Sequence, residues 1–246
     1  MEIISLAERP DLIPAMGQLP NDWPAFMMND PHGDIYYPLL PEVFPQWQLV
    51  ALDEGRVVGK VHAVPFGWDG TDADLPDRGW DEVLERAFAD ARRGTSPTAV
   101  SLLEARLAPG HLGRGLSRVL LEAQGANVRA HGLLDLVDPV RPTGKHLQPE
   151  LPMSDYVAAV RDDGLPVDPW LRVHVRMGGR FIKLCPASMV VAADLITWRG
   201  WTGLPFDTSG DLVVPFACNP VHVSVEQDCA VYAEPNVWVH HDLRQR

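Results

Sequence analysis

The sequence predicts a mixed α/β fold, a central mixed β-sheet flanked by helices, and three observations carry that expectation. Apolar strand-like runs at 47–52 and 56–66 enclose Asp53-Glu54-Gly55, a hairpin turn signal. Between 80 and 93 apolar residues recur at spacings of three and four, as on an amphipathic helix. From 98 to 137 a strand, a glycine-bearing turn, a helix and a strand follow one another, the order of a right-handed parallel βαβ unit.

Taken in order, residues 2–6 read as the first strand. The stretch 11–45 is rich in Pro, Asn, Asp and aromatics, with a short helix near Leu12–Leu19 and no firm periodicity beyond it, so it reads as loops that cover something. The hairpin follows. In the helix 80–93, Trp80, Val83, Leu84, Ala87, Phe88 and Ala91 share one face. Asp81 and Glu82 sit in its first turn and Arg92 and Arg93 in its last, each sign matching the helix dipole, and Gly94 supplies a left-handed cap. Thr98–Leu107 is β-rich and runs into Ala108-Pro109-Gly110-His111-Leu112-Gly113-Arg114-Gly115. A helix with Leu116, Val119, Leu120, Ala123 and Ala130 on one side comes next, then Gly132 and the strand Leu133–Val137. Asp168 can cap a helix with Pro169 at its first position, ended by Gly178-Gly179, with Trp170, Val173, His174 and Met177 facing inward. Beyond Arg180 apolar runs alternate with turns, giving strands at Phe181–Ala192, Val221–Val225 and Val231–Val239. No composition shift marks a linker. Residues 1–246 therefore read as one domain, with an insertion at 67–97 between the third and fourth strands and a β-rich C-terminal extension over 193–246.

Composition narrows the function classes. Hydrophobic residues make up 46% of the chain, with eight Trp, seven Phe and four Tyr, enough for a sizeable core and against disorder. Lys and Arg number 21 against 33 Asp and Glu, and a net charge of −12 repels a polyphosphate backbone, so nucleic acid is not an expected partner. Cys185, Cys218 and Cys229 form no CxxC pair and read as reduced cytosolic thiols. The N-terminal MEIISLAERPDL lacks a signal-peptide apolar core, and no apolar run approaches the roughly 20 residues of a membrane helix. A cytoplasmic protein without membrane partners is expected. HExxH, GxSxG and EF-hand patterns are absent. His32-Gly33-Asp34 and His240-His241-Asp242 carry the H-x-D half of a facial triad. Only four residues follow the second, and the first has no jelly-roll strand order before it. A non-haem iron oxygenase therefore stands behind the other readings, and no metal is expected.

The turn Leu112-Gly113-Arg114-Gly115-Leu116-Ser117 carries the main signal. Two glycines let a ligand approach the backbone, and the first N–H groups of the following helix lack internal partners, so a phosphate or pyrophosphate fits there. A dinucleotide GxGxxG fails because Arg118 holds the third glycine's place. A Walker P-loop fails because Gly144-Lys145 is followed by His146. The alternatives are an ordinary tight turn for the glycines and a solvated cation for Arg114.

At these residues the chain resembles the GNAT superfamily of acyl-CoA-dependent N-acyltransferases, whose motif A is a strand, a Q/R-x-x-G-x-G/A turn and a helix. The match runs over Leu107-Ala108-Pro109, Gly113-x-Gly115 and Leu120-Leu121, and Leu112 or Gly110, by register, replaces the opening Gln or Arg. The resemblance covers 98–137 most strongly and extends over 2–66 and 168–192. It implies that the main chain at Leu107 pairs with the pantetheine arm of acetyl-CoA or another acyl-CoA, while the amides of Leu112, Gly113, Arg114, Gly115, Leu116 and Ser117 hold its pyrophosphate.

It also implies the chemistry. Amine attack on a thioester needs a base for the amine and an acid for the thiolate. Glu104, just before the pantetheine segment, is where the family often keeps a carboxylate base, and partial burial would raise its pKa. Ser101 is a water-holding position. The alternative for Glu104 is a strand residue paired with Arg106 or Arg141, with a strand bulge deciding its face. His174-Val175-Arg176-Met177-Gly178-Gly179 occupies the place of the family's Tyr, three residues and Gly-Phe, so His174 becomes the proton donor to the thiolate. Its alternative is a hydrogen-bonded core histidine. The insertion helix and 21–45 either roof an acceptor pocket or pack on the sheet or on a second copy of the chain in a homodimer. Trp198-Arg199-Gly200-Trp201 either stacks on substrate or belongs to the core. The resulting expectation is transfer of an acetyl or short acyl group to an amine of a small molecule by direct attack in a ternary complex. The competing expectation is a catalytically silent acyl-CoA-binding module.

Overall fold

The computed structural model describes residues 1–21 and 23–245. Strand β1 (Glu2–Ser5) is followed by short helices α1 (Ile13–Gly17), α2 (Pro31–Tyr36) and α3 (Leu40–Val43). Then come β2 (Leu49–Asp53), β3 (Arg56–Phe66), α4 (Gly79–Arg93), β4 (Ala99–Leu107), α5 (Leu116–Ala130) and β5 (Asp135–Val140). Helices α6 (Met153–Ala158) and α7 (Pro169–Arg176) lead to β6 (Arg180–Ala193), α8 (Leu195–Thr202), β7 (Gly210–Leu212), β8 (Val221–Ser224) and β9 (Cys229–Asp242). They build one sheet in the order β1-β2-β3-β4-β5-β9-β8-β7, with β6 also paired to β9. Only β4 and β5 pair in parallel, through the α5 crossover. Long β9 takes β6 along one edge, while β5 and β8 share the other edge end to end.

Local chemistry explains the elements. The β2–β3 turn places Glu54 at φ 48° and Gly55 at φ 77°, the paired left-handed conformation that matches strand twist in a two-residue hairpin. Helix α4 ends on Gly94 at φ 66°, whose N–H bonds to Ala91 O. It buries Ala87 together with Val83, Leu84 and Phe88 against the sheet, the last three each worth about 1.5–3 kcal/mol. Ala91, expected on that face, is exposed. On α5 the buried face is Leu120, Leu121, Gln124, Gly125 and Val128, whereas Val119 and Ala130 face outward. A buried Gln-Gly pair displaces the apolar stripe from the position that counting apolar residues alone gives.

A second core unites Phe26 with Trp198, Phe206, Val221 and Tyr232. Trp198 is fully buried and its indole donates to Ala230 O, so this tryptophan is core and does not stack on a ligand. The three cysteines are free thiols, two of them buried. Among the described residues no helix is long and apolar enough to cross a membrane.

Candidate active site

The parallel pair β4–β5 holds at two positions only, Val100 with Leu136 and Ser101 with Val137. Past this fork β4 continues against β3 as far as Leu107, while β5 runs along β9. The arm 102–107 thus keeps one main-chain edge without a strand partner, and an extended chain of amides can add to such an edge. At its end Leu112 is extended, and Gly113 and Gly115 lie at φ 72° and 73°. Gly115 opens α5, no side chain caps that helix, and the space a Cβ would enter at either glycine is open. Leu107, Leu112, Gly113, Arg114, Gly115, Leu116 and Ser117 therefore form one rim from the strand edge to a helix N-terminus with free amides, chemistry that fits a pantetheine arm ending in a pyrophosphate.

A bulge shapes the other side of the fork. Glu104 pairs with His62 and Leu102 with Ala63, leaving Leu103 as the extra residue, and Trp80 on α4 donates its indole N–H to Leu103 O. Ser101 is buried, with its hydroxyl on Leu102 O. Glu104 is half-buried amid donors: Lys60 Nζ lies 2.9 Å from Oε2, Arg106 Nη2 2.7 Å from Oε1, the Tyr37 hydroxyl donates to Oε2, and the Trp23 indole donates to Oε1 at 3.4 Å. Burial alone would raise the Glu104 carboxyl, but Lys60, His62 when charged, Arg106 and the Tyr37 hydroxyl outweigh it and bring the pKa to about 2. The expected upward shift is thus reversed, because the bulge turns Glu104 into a nest of cations. Of the two proposed arginine partners Arg106 is the one found; Arg141 pairs with Glu234 at 2.5 Å.

His62 flanks the same carboxylate, with Nε2 4.0 Å from Glu104 Oε2. Gln48 gives both amide hydrogens to Phe44 O and Ala63 O, so its oxygen accepts from His62 Nδ1 and leaves Nε2 as the lone-pair nitrogen. Burial, then Lys60, lowers the His62 pKa to about 3, so the ring is neutral near pH 7. Trp23 spans the mouth of the fork: its N–H reaches Glu104 on β4, and its face lies 5.3 Å from the Arg141 guanidinium just beyond β5. Tyr37 stacks on Trp80 at 6.1 Å and meets the His62 ring edge-on at 4.8 Å. The aromatic stretch 21–45 thus covers this side of the fork.

On the β5 arm the first residue past the fork is Asp138. Its carboxyl lies 3.4 Å from His174 Nε2 on α7, and His174 Nδ1 lies 2.9 Å from His241 Nε2 on β9. Burial raises Asp138 well above the usual carboxylate range; burial and His241 lower His174 well below the usual imidazole range. The His174 ring is therefore neutral near pH 7. His174 is fully buried, as a hydrogen-bonded core histidine would be, yet its Nε2 makes no hydrogen bond. His241 also lines a surface cleft with Glu122, Arg129 and Met177, which links the pair to solvent. Sequence reasoning singled out Glu104 and His174 and missed Lys60, His62, Asp138 and His241, brought together by pairing across the sheet, and Trp23 and Tyr37, brought there by the covering segment.

No family model matches the chain. The arginine N-acetyltransferase avaD of Aspergillus versicolor is 31% identical to it over 249 residues, spanning 90% of this chain and 85% of its own. Among solved structures, the loading GNATL domain of CurA from Lyngbya majuscula has a TM-score of 0.62 at 18% identity, covering 100% of this chain and 98% of its own. The GphF GNAT-like decarboxylase, solved with isobutyryl-CoA, has a TM-score of 0.58 at 19% identity, covering 99% and 100%. At these identities the two structures speak to the fold.

Proposed function

Because the chain belongs to the GNAT superfamily and is an acyl-CoA-dependent N-acyltransferase, we propose that its acceptor is a small cationic amine of the arginine class, acylated by direct attack in a ternary complex. The observation that carries this is the fork: an unpaired β4 edge leading to uncapped helix amides on one side, and an aromatic-covered polar cluster around Glu104 on the other. The arginine class is suggested by the substrate in the relative's name. The net charge of −12 favours approach of a cation over long range.

In this reading the Leu102–Leu107 edge and the Gly113–Ser117 amides hold the acyl-CoA with its thioester near the fork, the Leu112 amide being taken by Pro109 O. Glu104 stays ionised and takes no proton. It fixes Lys60, Arg106 and Tyr37 and so positions the acceptor side, while the attacking nitrogen sheds its proton to solvent. His174 serves the leaving group: Nε2–H passes its proton to the thiolate as Nδ1 takes one from His241 Nε2–H, and His241 is reprotonated from the cleft. The His174 ring stays neutral before and after, which suits its lowered basicity.

The test is thiol release from acetyl-CoA with arginine, agmatine, lysine and an uncharged amine, with the product identified by mass spectrometry. Thiol release with arginine or agmatine, and an N-acetyl product, is expected. Binding of acetyl-CoA with no amine-stimulated release would overturn the proposal, as would loss of carbon dioxide from a carboxyacyl-CoA as the only reaction.

A further inference from the structure

We propose that Asp30, His32 and Asp81 form a binding site for one divalent transition-metal ion of the zinc or manganese kind, which fastens the covering segment 25–36 to the first turn of α4. One ligand atom from each residue lies within 4.8 Å of the others. Asp30 and Asp81 are each 1% exposed, and Asp30 Oδ1, Asp81 Oδ1 and His32 Nδ1 are buried atoms with no hydrogen-bond partner. The remaining oxygens are occupied: Asp30 Oδ2 accepts from Gly33 N at 2.7 Å, and Asp81 Oδ2 from Val190 N at 3.3 Å. Each of two buried carboxylates thus keeps one unsatisfied oxygen in a cluster with an unsatisfied imidazole nitrogen, an arrangement that is costly with nothing between them.

The histidine is set for ligation. His32 Nε2 lies 2.7 Å from Glu85 Oε1, a contact that puts the ring proton on Nε2 and leaves Nδ1 as a lone pair. Arg78 pairs with Glu85 through both terminal nitrogens and lies 3.1 Å from His32 Nε2, which fixes the carboxylate that fixes the ring. A carboxylate behind an imidazole is the usual support of a metal-bound histidine. His32 Nδ1 and Asp81 Oδ2 are 3.4 Å apart, close to the ~3.3 Å edge of a tetrahedron with ligands at about 2.0–2.1 Å. One imidazole with two carboxylates selects zinc or manganese over calcium or magnesium, which prefer all-oxygen sets. The two negative charges match a divalent ion. The H-x-D spacing at His32 pointed to Asp34, but the partners are Asp30 and, from another helix, Asp81.

The location gives the ion a task. Trp80, adjacent to Asp81, donates its backbone N–H to Ser188 Oγ and its indole N–H to the carbonyl of the β4 bulge. A bound ion would lock the covering segment to the element that braces the bulge. The competing occupant is a proton shared between the carboxyls or carried by His32.

The whole protein, stripped with chelator and dialysed against micromolar Zn²⁺ or Mn²⁺, is analysed for metal by mass spectrometry and for Tm with and without ion. One bound metal per chain is expected. At a hundredfold excess over Kd, Tm rises by roughly 5–10 °C, with Ca²⁺ and Mg²⁺ far weaker. Asp81→Asn and the milder His32→Gln should each lose at least tenfold in affinity, while Asp34→Asn at the exposed neighbour binds as the parent does. Absence of metal and of any Tm response overturns the proposal, as does undiminished binding in both variants. A rise in Tm for Asp81→Asn without any response to metal overturns it in favour of the shared proton.

Discussion

Replacing Glu104 by Gln removes the charge and keeps the shape, so the loss can be worked from the structure in two ways. Burial raises this carboxyl, but Lys60, His62, Arg106 and Tyr37 bring it from its ordinary 4.5 to about 2, and because His62 is neutral at pH 7 this corresponds to at most about 3 kcal/mol of stability there. Seen from the cations, the substitution leaves the Lys60 and Arg106 side chains, 12% and 8% exposed, without their carboxylate. Breaking one partner of a buried pair costs about 3–5 kcal/mol. The two routes agree, and for a chain of this size the expected fall in Tm is on the order of 10 °C at pH 7. The pH dependence has a definite sign. The folded pKa lies below the unfolded one, so the stabilisation is complete above pH 4.5 and is lost as pH falls through about 2. Urea titrations of parent and variant should therefore give midpoints well apart at pH 7 that converge between pH 4.5 and 2. A gap under about 1 kcal/mol at pH 7, or one that stays constant to pH 2, would refute the reasoning. Turnover per folded molecule adds a second reading. A carboxylate that only positions the acceptor leaves kcat within about tenfold and raises KM, whereas a general base would cost about 10²–10⁴ in kcat.

Gly115→Val forces a β-branched residue to φ near 73° at the opening of α5, and acetyl-CoA affinity by calorimetry should fall at least tenfold. If affinity holds, the pyrophosphate lies elsewhere. His174→Ala and His241→Gln should each lower kcat by tenfold or more with little change in acetyl-CoA Kd, and the double variant should be no worse than the worse single one. Full additivity in kinetics would separate the two rings. Trp23→Ala opens the mouth of the fork and should raise acceptor KM several-fold while acetyl-CoA binding stays the same; an unchanged KM would remove this indole from the acceptor side.

What could be read from the chain follows the range of the interactions. The hairpin, α4, the βαβ unit and the glycine rim are local patterns, and they appear where the sequence puts them. Helix α8 went unread between the apolar runs beyond Arg180, although Asp194 caps it by accepting from Thr197 N and Gly203 ends it in the left-handed conformation. Glu104 was legible by its place in the motif, but its electrostatics were not: Tyr37 and Trp23 lie 67 and 81 positions away, and the bulge that aims the carboxylate shows only in the register of β3 against β4. The same holds for His174, whose partner His241 is 67 positions later and lies on a strand that reaches the middle of the sheet.

That placement of β9 bears on how the protein is made. Among the described residues it follows every other strand in sequence yet lies inside the sheet, so β5 and β6 emerge from the ribosome with open edges and wait for it. Long-range closure of this kind is slow and leaves nascent chains open to wrong edge pairing. His241 travels on the same strand, so the imidazole pair forms only when the sheet closes. Chaperone demand and the gain of activity should therefore share one rate-limiting event, the insertion of the final strand.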